Sequence, residues 1–99
     1  MNNTIDFSIR ALTVIDGRPN TSGNRLLARF DLETTGVIVT GCVLVAGEDG
    51  SLKVGGPRGK CHTGTKISAR FVGSDMADAV KRRASEIYEL FSGRRPGAE

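Results

Sequence analysis

The stretch RLLARFDLETTGVIVTGCVLVAGEDGSLKV, residues 25–54, decides the fold of this chain. At its start, apolar and charged residues alternate, which is typical of an antiparallel strand that buries one face and exposes the other. The inward positions are Leu26, Ala28, Phe30 and Leu32, and the outward positions are Arg29, Asp31 and Glu33. Residues 34–36 predict a short turn, so we expect the next strand to run back beside this one.

The middle of the stretch, VIVTGCVLVA at residues 37–46, is apolar on both parities and rich in β-branched residues. This composition predicts a central strand that is covered on both faces. The cover would come either from the protein's own helix together with a second subunit, or from tightly packed neighbours. Gly41, in the middle of the strand, predicts a bulge or a close backbone approach.

The end of the stretch predicts a β-hairpin. Residues 47–50, GEDG, contain the Asp-Gly pair that is favoured in tight turns. We therefore expect Leu52 and Val54 to lie on a short strand beside Val43 and Val45.

The flanking segments supply the other predicted strands. Residues 5–15 carry apolar residues mainly at odd positions, which predicts a first strand, although Leu12 and Val14 add apolar surface to its second face. Residues 16–25 form a polar, Gly- and Pro-containing loop. Alternation at residues 67–71 predicts a fifth short strand.

One helix is predicted, beginning at Ser74 and ending at Gly93. Ser74 is expected to be the N-cap, with its hydroxyl accepting a hydrogen bond from an amide of the first turn. Apolar residues spaced three and four apart form a stripe that can cover one face of a sheet. The stripe consists of Met76, Val80, Ala84, Ile87 and Phe91.

These elements together predict an α+β fold, an antiparallel four- to five-stranded sheet with one C-terminal helix packed on it. Residues 1–92 are expected to form a single domain, and residues 93–99 a flexible tail.

The positive charge of the chain is concentrated in one segment. The 99 residues have a formal net charge of +3. From Gly50 to Ser74 there are five cations and no acidic residue, so the remainder holds nine basic and eleven acidic residues. Local positive charge of this kind attracts polyanions.

The motifs within residues 54–66, VGGPRGKCHTGTK, argue against catalysis and metal binding. Val54 stands where a nucleotide-hydrolase phosphate loop needs glycine, and Cys61 stands where that loop needs Ser or Thr. Cys61 and His62 are adjacent, so on an extended backbone they point to opposite faces and are poorly placed to share a zinc ion. No orienting group or oxyanion donor for a nucleophile can be identified. We therefore expect no enzyme activity, no metal, no cofactor and no small-molecule substrate.

The cysteines and the hydropathy pattern bear on the compartment. Cys42 lies within an apolar strand and is expected to be an inert core thiol. The sequence shows no apolar leader and no apolar run of membrane-spanning length. It therefore predicts a cytoplasmic protein with reduced thiols and no membrane contact.

With catalysis and metal binding disfavoured, electrostatic binding of nucleic acid is the function that the basic segment best fits. Glycines within residues 54–66 leave backbone amides exposed, and the neighbouring cations can reach phosphates. The predicted nucleic-acid-binding residues are Arg58, Lys60, Lys66, Arg70, Lys81, Arg82 and Arg83. The alternative is that the segment and the helix cations are solvated surfaces, which charged segments usually are.

Aromatic residues bear on the kind of nucleic acid. The chain has no Trp, one Tyr and four Phe. All four phenylalanines, at positions 7, 30, 71 and 91, fall on predicted core faces. Base stacking is therefore not expected to dominate, and contact would be mainly to phosphates.

Residues 25–60, which extend the opening stretch with GGPRGK, and residues 78–91, DAVKRRASEIYELF, resemble the SpoVG (septation regulator) family. The similarity covers residues 7–91 and consists of hydrophobic patterns with turns, with Ala79, Val80 and Tyr88 in characteristic helix positions. The resemblance implies a small bacterial cytoplasmic protein that dimerises by joining sheets and binds DNA or RNA as a regulator.

The resemblance also maps the family's basic segment onto Arg58 and Lys60, and its helix surface onto Lys81, Arg82 and Arg83. The chain departs from the family in the glycine-rich CHTG loop and in having Ala69-Arg70 where a His-Pro pair is usual.

Two functions therefore follow as hypotheses. The first is a homodimeric nucleic-acid-binding regulator that contacts phosphates through the basic Gly-rich loop and the helix surface. The alternative is a protein-interaction module that recognises a partner by sheet-edge addition and through its basic loop.

Overall fold

Four antiparallel strands and one helix form the main body of the protein. The structure is a computed structural model that describes residues 7–34, 36–60, 63, 66–68, 71 and 73–93, with residues 58–60 and 66–68 described as backbone. The elements are β1 (Ser8–Val14), β2 (Arg25–Thr34), β3 (Val37–Ala46), β4 (Leu52–Gly55), β5 (Arg58–Lys60), β6 (Lys66–Ser68) and α1 (Ser74–Ser92).

Strands β1 to β4 form one antiparallel sheet in the order β1-β2-β3-β4, whereas β5 and β6 form a separate two-stranded antiparallel sheet. We call the first four strands with α1 the sheet–helix body, and we call β5 with β6 the ribbon. The predicted α+β fold with a C-terminal helix is confirmed. Two details of the prediction are corrected, because the segment expected to be a loop contains β5, and the fifth predicted strand pairs with β5 instead of joining the sheet.

One hydrophobic core lies between α1 and the sheet, where the helix packs against β1, β3 and β4. Its buried members are Leu12, Leu27, Ala28, Phe30, Leu32, Cys42, Leu44, Ala46, Val80, Ala84 and Tyr88. Every one of them is apolar except for the sulfhydryl of Cys42 and the hydroxyl of Tyr88, so burial of hydrocarbon surface drives the packing.

The apolar stripe of α1 ends at Tyr88 and not at Phe91. Tyr88 is 1% exposed, whereas Phe91 is 64% exposed, so the prediction that Phe91 belongs to the core is wrong. The Tyr88 hydroxyl donates a hydrogen bond to Asp16, which lies just beyond the end of β1. Phe91 lies three residues, or about 4.5 Å, further along the helix axis, where the buried stripe has already ended.

The helix begins as predicted, but its cap differs. Gly73 is the N-cap, and no side chain makes a capping hydrogen bond, so the prediction that Ser74 caps the helix is wrong. The Ala77 N–H donates to the Gly73 carbonyl at 3.1 Å, which places Ser74 inside the first turn. At the other end, the Gly93 N–H donates to the Glu89 carbonyl at 2.9 Å, and the predicted end of the helix is confirmed.

Bulges in β1 and β2 change which residues face the core. In β1 the register shifts between Arg10 and Thr13, so Leu12 is buried while Ala11, predicted to face inward, is exposed with a φ of 53°. Thr13 and Ile15, also predicted to face inward, are exposed as well. An extra residue in a strand reverses the faces of all residues after it.

The bulge in β2 adds an unexpected core residue. The register shifts between Leu26 and Ala28, and Leu27 between them is fully buried. The other predicted inward residues of this strand, from Ala28 to Leu32, are confirmed, because the alternation is regular once the bulge has passed.

Gly41 lies at a bulge of β3, as predicted. Its φ is +82°, and the pairing with β2 shifts by one residue at this point. A Cβ atom at Gly41 would lie 3.4 Å from the Cβ of Pro57, at the start of the ribbon. Of the two predicted alternatives, the bulge is therefore confirmed, whereas the neighbour at Gly41 is a side-chain atom in ordinary van der Waals contact.

The β3–β4 hairpin forms with a different register from the one predicted. Leu52 lies opposite Ala46, and Val54 lies opposite Leu44. The turn is closed by the Gly47 N–H, which donates to the Ser51 carbonyl at 2.7 Å. This wider turn shifts the pairing and lets the side chains of β4 pack against the core.

Strand β3 is central, as predicted, but its two faces differ in burial. Cys42, Leu44 and Ala46 are buried beneath the helix, whereas Val43 and Val45 on the opposite face are half-buried. Val37 and Ile38 at the start of the strand are 54% and 52% exposed. The single chain therefore covers one face of β3 well and leaves the other partly open.

Candidate nucleic-acid interface

Three of the predicted binding residues, Arg58, Lys60 and Lys66, lie on the two paired strands of the ribbon. Its pairs are Arg58 with Ser68, Gly59 with Ile67, and Lys60 with Lys66. Two lysines therefore occupy directly opposite positions of an antiparallel pair. Like charges at such positions destabilise the pairing, and the segment from Gly50 to Ser74 contains no carboxylate to offset them.

The three cations of α1 do not form a single cluster. The Lys81 Nζ lies 3.7 Å from Asp78 Oδ1, and the Arg83 Nη1 lies 3.2 Å from Glu86 Oε1. Arg82 has no ion pair with any residue in the described part of the chain. Because consecutive helix residues are about 100° apart around the axis, the three side chains leave the helix in different directions.

A groove of about 510 Å³ lies between α1 and the start of β1. It is lined by Phe7, Ser8, Ile9, Ala79, Arg82, Arg83 and Glu86. Phe7 is half-buried and packs against the edge of the core, so it belongs to the core and also lines the open groove. The prediction that Phe7 lies on a core face is therefore confirmed, and the ring also has a place in the groove.

The predicted binding residues thus fall in two separate places in the fold. Arg58, Lys60 and Lys66 lie on the backbone of the ribbon, and Arg82 and Arg83 line the groove. Lys81 is not among the groove-lining residues. Arg70, Cys61 and His62 lie outside the described residues.

No protein-family model, curated protein or solved structure matches this chain. Its resemblance to the SpoVG family therefore stays a hypothesis that rests on the sequence patterns and the order of elements.

The groove was not predicted from the sequence, although a signal for it exists. Ala79, Arg82, Arg83 and Glu86 are spaced i, i+3, i+4 and i+7, which puts them on one side of a helix. That side lies beside the apolar stripe that covers the sheet, and Lys81 is not part of it. The same spacing rule that predicted the core stripe could therefore have separated Arg82 and Arg83 from Lys81.

A polar cluster at the far end of the helix was also missed. The Tyr88 hydroxyl donates to Asp16 Oδ1, and the Arg25 Nη2 lies 3.8 Å from the same carboxylate oxygen. Asp16 has a φ of +49°. The cluster connects the helix to both ends of the loop between β1 and β2, and it therefore stabilises the body.

Three further observations on the described residues concern metal binding, the Cys42 thiol and membrane spans. Among them, no group of three or more His, Cys, Asp or Glu residues could hold a metal ion. Cys42 is 1% exposed, and burial, with a smaller contribution from the charge of Asp31, raises the pKa of its thiol. A thiol that is buried and held in its protonated form is a poor nucleophile, which agrees with the predicted inert core thiol. Within the part of the chain that the structure describes, no helix has the length and apolar character needed to cross a membrane.

Proposed function

We propose that this chain is a small homodimeric, nucleic-acid-binding regulatory protein of the SpoVG type that works in the cytoplasm. It binds DNA or RNA through phosphate contacts and performs no chemistry on its ligand. The ribbon provides one contact surface, and the exposed cations of α1 provide the other.

The pairing of Lys60 with Lys66 is the observation that supports the proposal most strongly. The fold places two cations opposite each other in a three-residue ladder, inside a segment with no acidic residue. This arrangement costs stability when the protein is free. A phosphate backbone offsets the cost, because it supplies closely spaced negative charges.

The open face of β3 supports the homodimer. Val43 and Val45 are half-buried on the face away from the helix, and Ile38 is 52% exposed. A second copy that covers this face would bury apolar surface that one chain leaves open. Static light scattering at micromolar concentration should therefore give the mass of a dimer, and the mass of a monomer would contradict this part of the proposal.

The binding proposal is tested by fluorescence anisotropy of labelled DNA and RNA, single-stranded and duplex, over a range of salt concentrations. If about three cations per subunit contact phosphate, the logarithm of the binding constant for duplex DNA should fall with the logarithm of salt with a slope of about −5. A slope near zero would contradict the proposal.

A double substitution tests whether the ribbon is the contact surface. Arg58→Ala plus Lys60→Ala should reduce the slope to about −2, since each dimer loses about four phosphate contacts. The matched control is Arg10→Ala plus Arg18→Ala, which removes the same charge from exposed positions outside the predicted set. If both double variants weaken binding equally, binding depends on net charge and not on the ribbon. Absence of binding at low salt would favour the protein-interaction module instead.

A further inference from the structure

We propose that the groove between β1 and α1 holds one unpaired nucleobase, and that the protein consequently prefers single-stranded to duplex nucleic acid. This inference rests on the proposed function and names the form of nucleic acid that the helix surface recognises.

The composition of the groove fits a nucleotide. Its volume of about 510 Å³ lies within the range of about 300–1,000 Å³ that is usual for small-ligand sites. Phe7, Ile9 and Ala79 supply apolar surface, and Arg82 and Arg83 supply positive charge beside it. A nucleotide has the same two parts, a flat apolar base and a negatively charged phosphate.

The ion pairing of Arg82 and Arg83 within the described residues favours binding of a phosphate. Arg82 has no ion pair within the described residues, and the Arg83–Glu86 pair is exposed on both sides. Exposed ion pairs contribute only about 0–1 kcal/mol, so exchanging Glu86 for a phosphate as the partner of Arg83 costs little. Binding proteins commonly recognise unpaired bases by combining an aromatic side chain with arginine in this way.

Glu86 favours a ligand that brings a hydrogen-bond donor into the groove beside its negative charge. Its carboxylate lines the groove and would repel carboxylates and phosphates alike. The same carboxylate can accept a hydrogen bond from an N–H of a base, including the ring N–H of thymine, as can the hydroxyl of Ser8, whereas the carboxylates of an acidic peptide offer no such donor. A base within a duplex is stacked and paired, so its face and its edge are not available to the groove.

The first experiment compares oligo-dT with a strand of equal length in which the bases are absent and only the sugar–phosphate backbone remains. The wild-type protein should bind oligo-dT more tightly than the abasic strand. Phe7→Leu keeps an apolar side chain at the edge of the core but removes the aromatic face. It should reduce the preference for oligo-dT by about fivefold or more, at the low end of the effect of stacking one base, and leave the affinity for the abasic strand unchanged.

Two further variants serve as controls. Phe91→Leu removes an aromatic ring that is 64% exposed and does not line the groove, so it should change neither affinity. Arg82→Ala should weaken binding of both strands, because both carry phosphates. Circular dichroism with thermal denaturation shows whether each variant retains its fold.

The second experiment uses Phe7→Trp, which introduces the only tryptophan of the chain. Oligo-dT should quench its fluorescence, whereas the abasic strand and poly-glutamate should not. This measurement reports on the groove even where Phe7→Leu lowers stability.

The outcomes distinguish this inference from the proposed function. If the protein binds both strands equally, or if Phe7→Leu leaves the preference unchanged, the base-binding groove is wrong while phosphate binding stands. If neither strand binds at low salt, the proposed function itself is wrong. If poly-glutamate displaces oligo-dT as well as unlabelled oligo-dT does, the surface responds to charge alone, which favours an acidic protein partner and overturns the inference.

Discussion

The sheet–helix body and the segment that contains the ribbon differ in their content of acidic residues. In the body, four cations lie within 4 Å of carboxylates, at distances of 3.2 Å for Arg10–Glu33, 3.8 Å for Arg25–Asp16, 3.7 Å for Lys81–Asp78 and 3.2 Å for Arg83–Glu86. The segment from Gly50 to Ser74, which contains the ribbon, has five cations and no acidic residue. Nearby carboxylates therefore offset part of the positive charge in the body, whereas the ribbon segment has none of its own.

Under the proposed function, this difference predicts that stability depends on the core of the body and that the phosphate contacts of the ribbon contribute little to it. The body buries eleven hydrophobic residues in one cluster, and its exposed ion pairs add only about 0–1 kcal/mol each. The ribbon has three-residue strands, and a two-stranded pair of this kind has little stability of its own. Substitutions in the core of the body should therefore change mainly the free energy of unfolding, and substitutions in the ribbon should change mainly affinity.

The largest expected effect is on the core. Phe30 is fully buried at the centre of β2, so Phe30→Ala should lower the free energy of unfolding by about 3–5 kcal/mol through lost burial and a cavity. Urea denaturation followed by circular dichroism measures this change.

Lys60→Ala in the ribbon is the contrasting variant. It should change the free energy of unfolding by less than about 0.5 kcal/mol, as is usual for surface substitutions, while it weakens oligonucleotide binding. A stability loss at Lys60 comparable to that at Phe30 would show that the ribbon is part of the folding unit, and the proposed separation of roles would be wrong.

An intermediate effect is expected where the helix connects to the loop between β1 and β2. Tyr88→Phe keeps the buried ring and removes the hydroxyl that donates to Asp16. A hydrogen bond to a charged group contributes about 1.5–3 kcal/mol, so the free energy of unfolding should fall by an amount in this range. Affinity for oligonucleotides should not change, since neither Tyr88 nor Asp16 lines the groove.

A double-mutant cycle with Asp16→Asn checks the cause of this loss. If the hydroxyl acts through the carboxylate, the two substitutions should be strongly non-additive. Additive effects, or a loss below about 0.5 kcal/mol for Tyr88→Phe, would mean that the ring alone stabilises this end of the helix.

The fold could be predicted from the sequence as far as the periodic patterns are regular. The alternation from Ala28 to Leu32 and the helical spacing from Val80 to Ala84 each report directly on one buried face. The patterns predict the wrong buried face after a bulge. An extra residue reverses the inward and outward positions of the residues that follow it, and no clear sequence signal indicates where the bulge lies. Leu12 and Leu27 lie at such bulges and are buried in the core, although the alternation pattern did not predict it.

The ends of elements and the binding surface were harder to predict for other physical reasons. Phe91 fits the helical stripe, but its burial depends on where the sheet ends, which is a tertiary property. The groove needs Phe7 and Arg82, residues 75 positions apart in the sequence, to meet across β1 and α1. Local periodicity predicts the side of the helix that carries Arg82, but it cannot predict which strand lies opposite.

The smallest expected difference is between alanine at Gly41 and alanine at Gly36, and it concerns how the ribbon is attached to the body. Gly41 has a φ of +82°, and a Cβ added there would lie 3.4 Å from Pro57, whereas Gly36 has a φ of +77° and no atom within 4 Å of such a Cβ. Alanine at either position costs about 1–2 kcal/mol for the left-handed backbone conformation. Because 3.4 Å is a van der Waals contact and not a clash, Gly41→Ala should lower the free energy of unfolding about as much as Gly36→Ala, as measured by urea denaturation. A distinctly greater loss at Gly41 would mean that Pro57 cannot move and that the start of the ribbon is fixed against β3. Equal losses would mean that the contact with Pro57 adds no cost beyond that of the left-handed backbone conformation, so that packing against Gly41 does not fix the start of the ribbon.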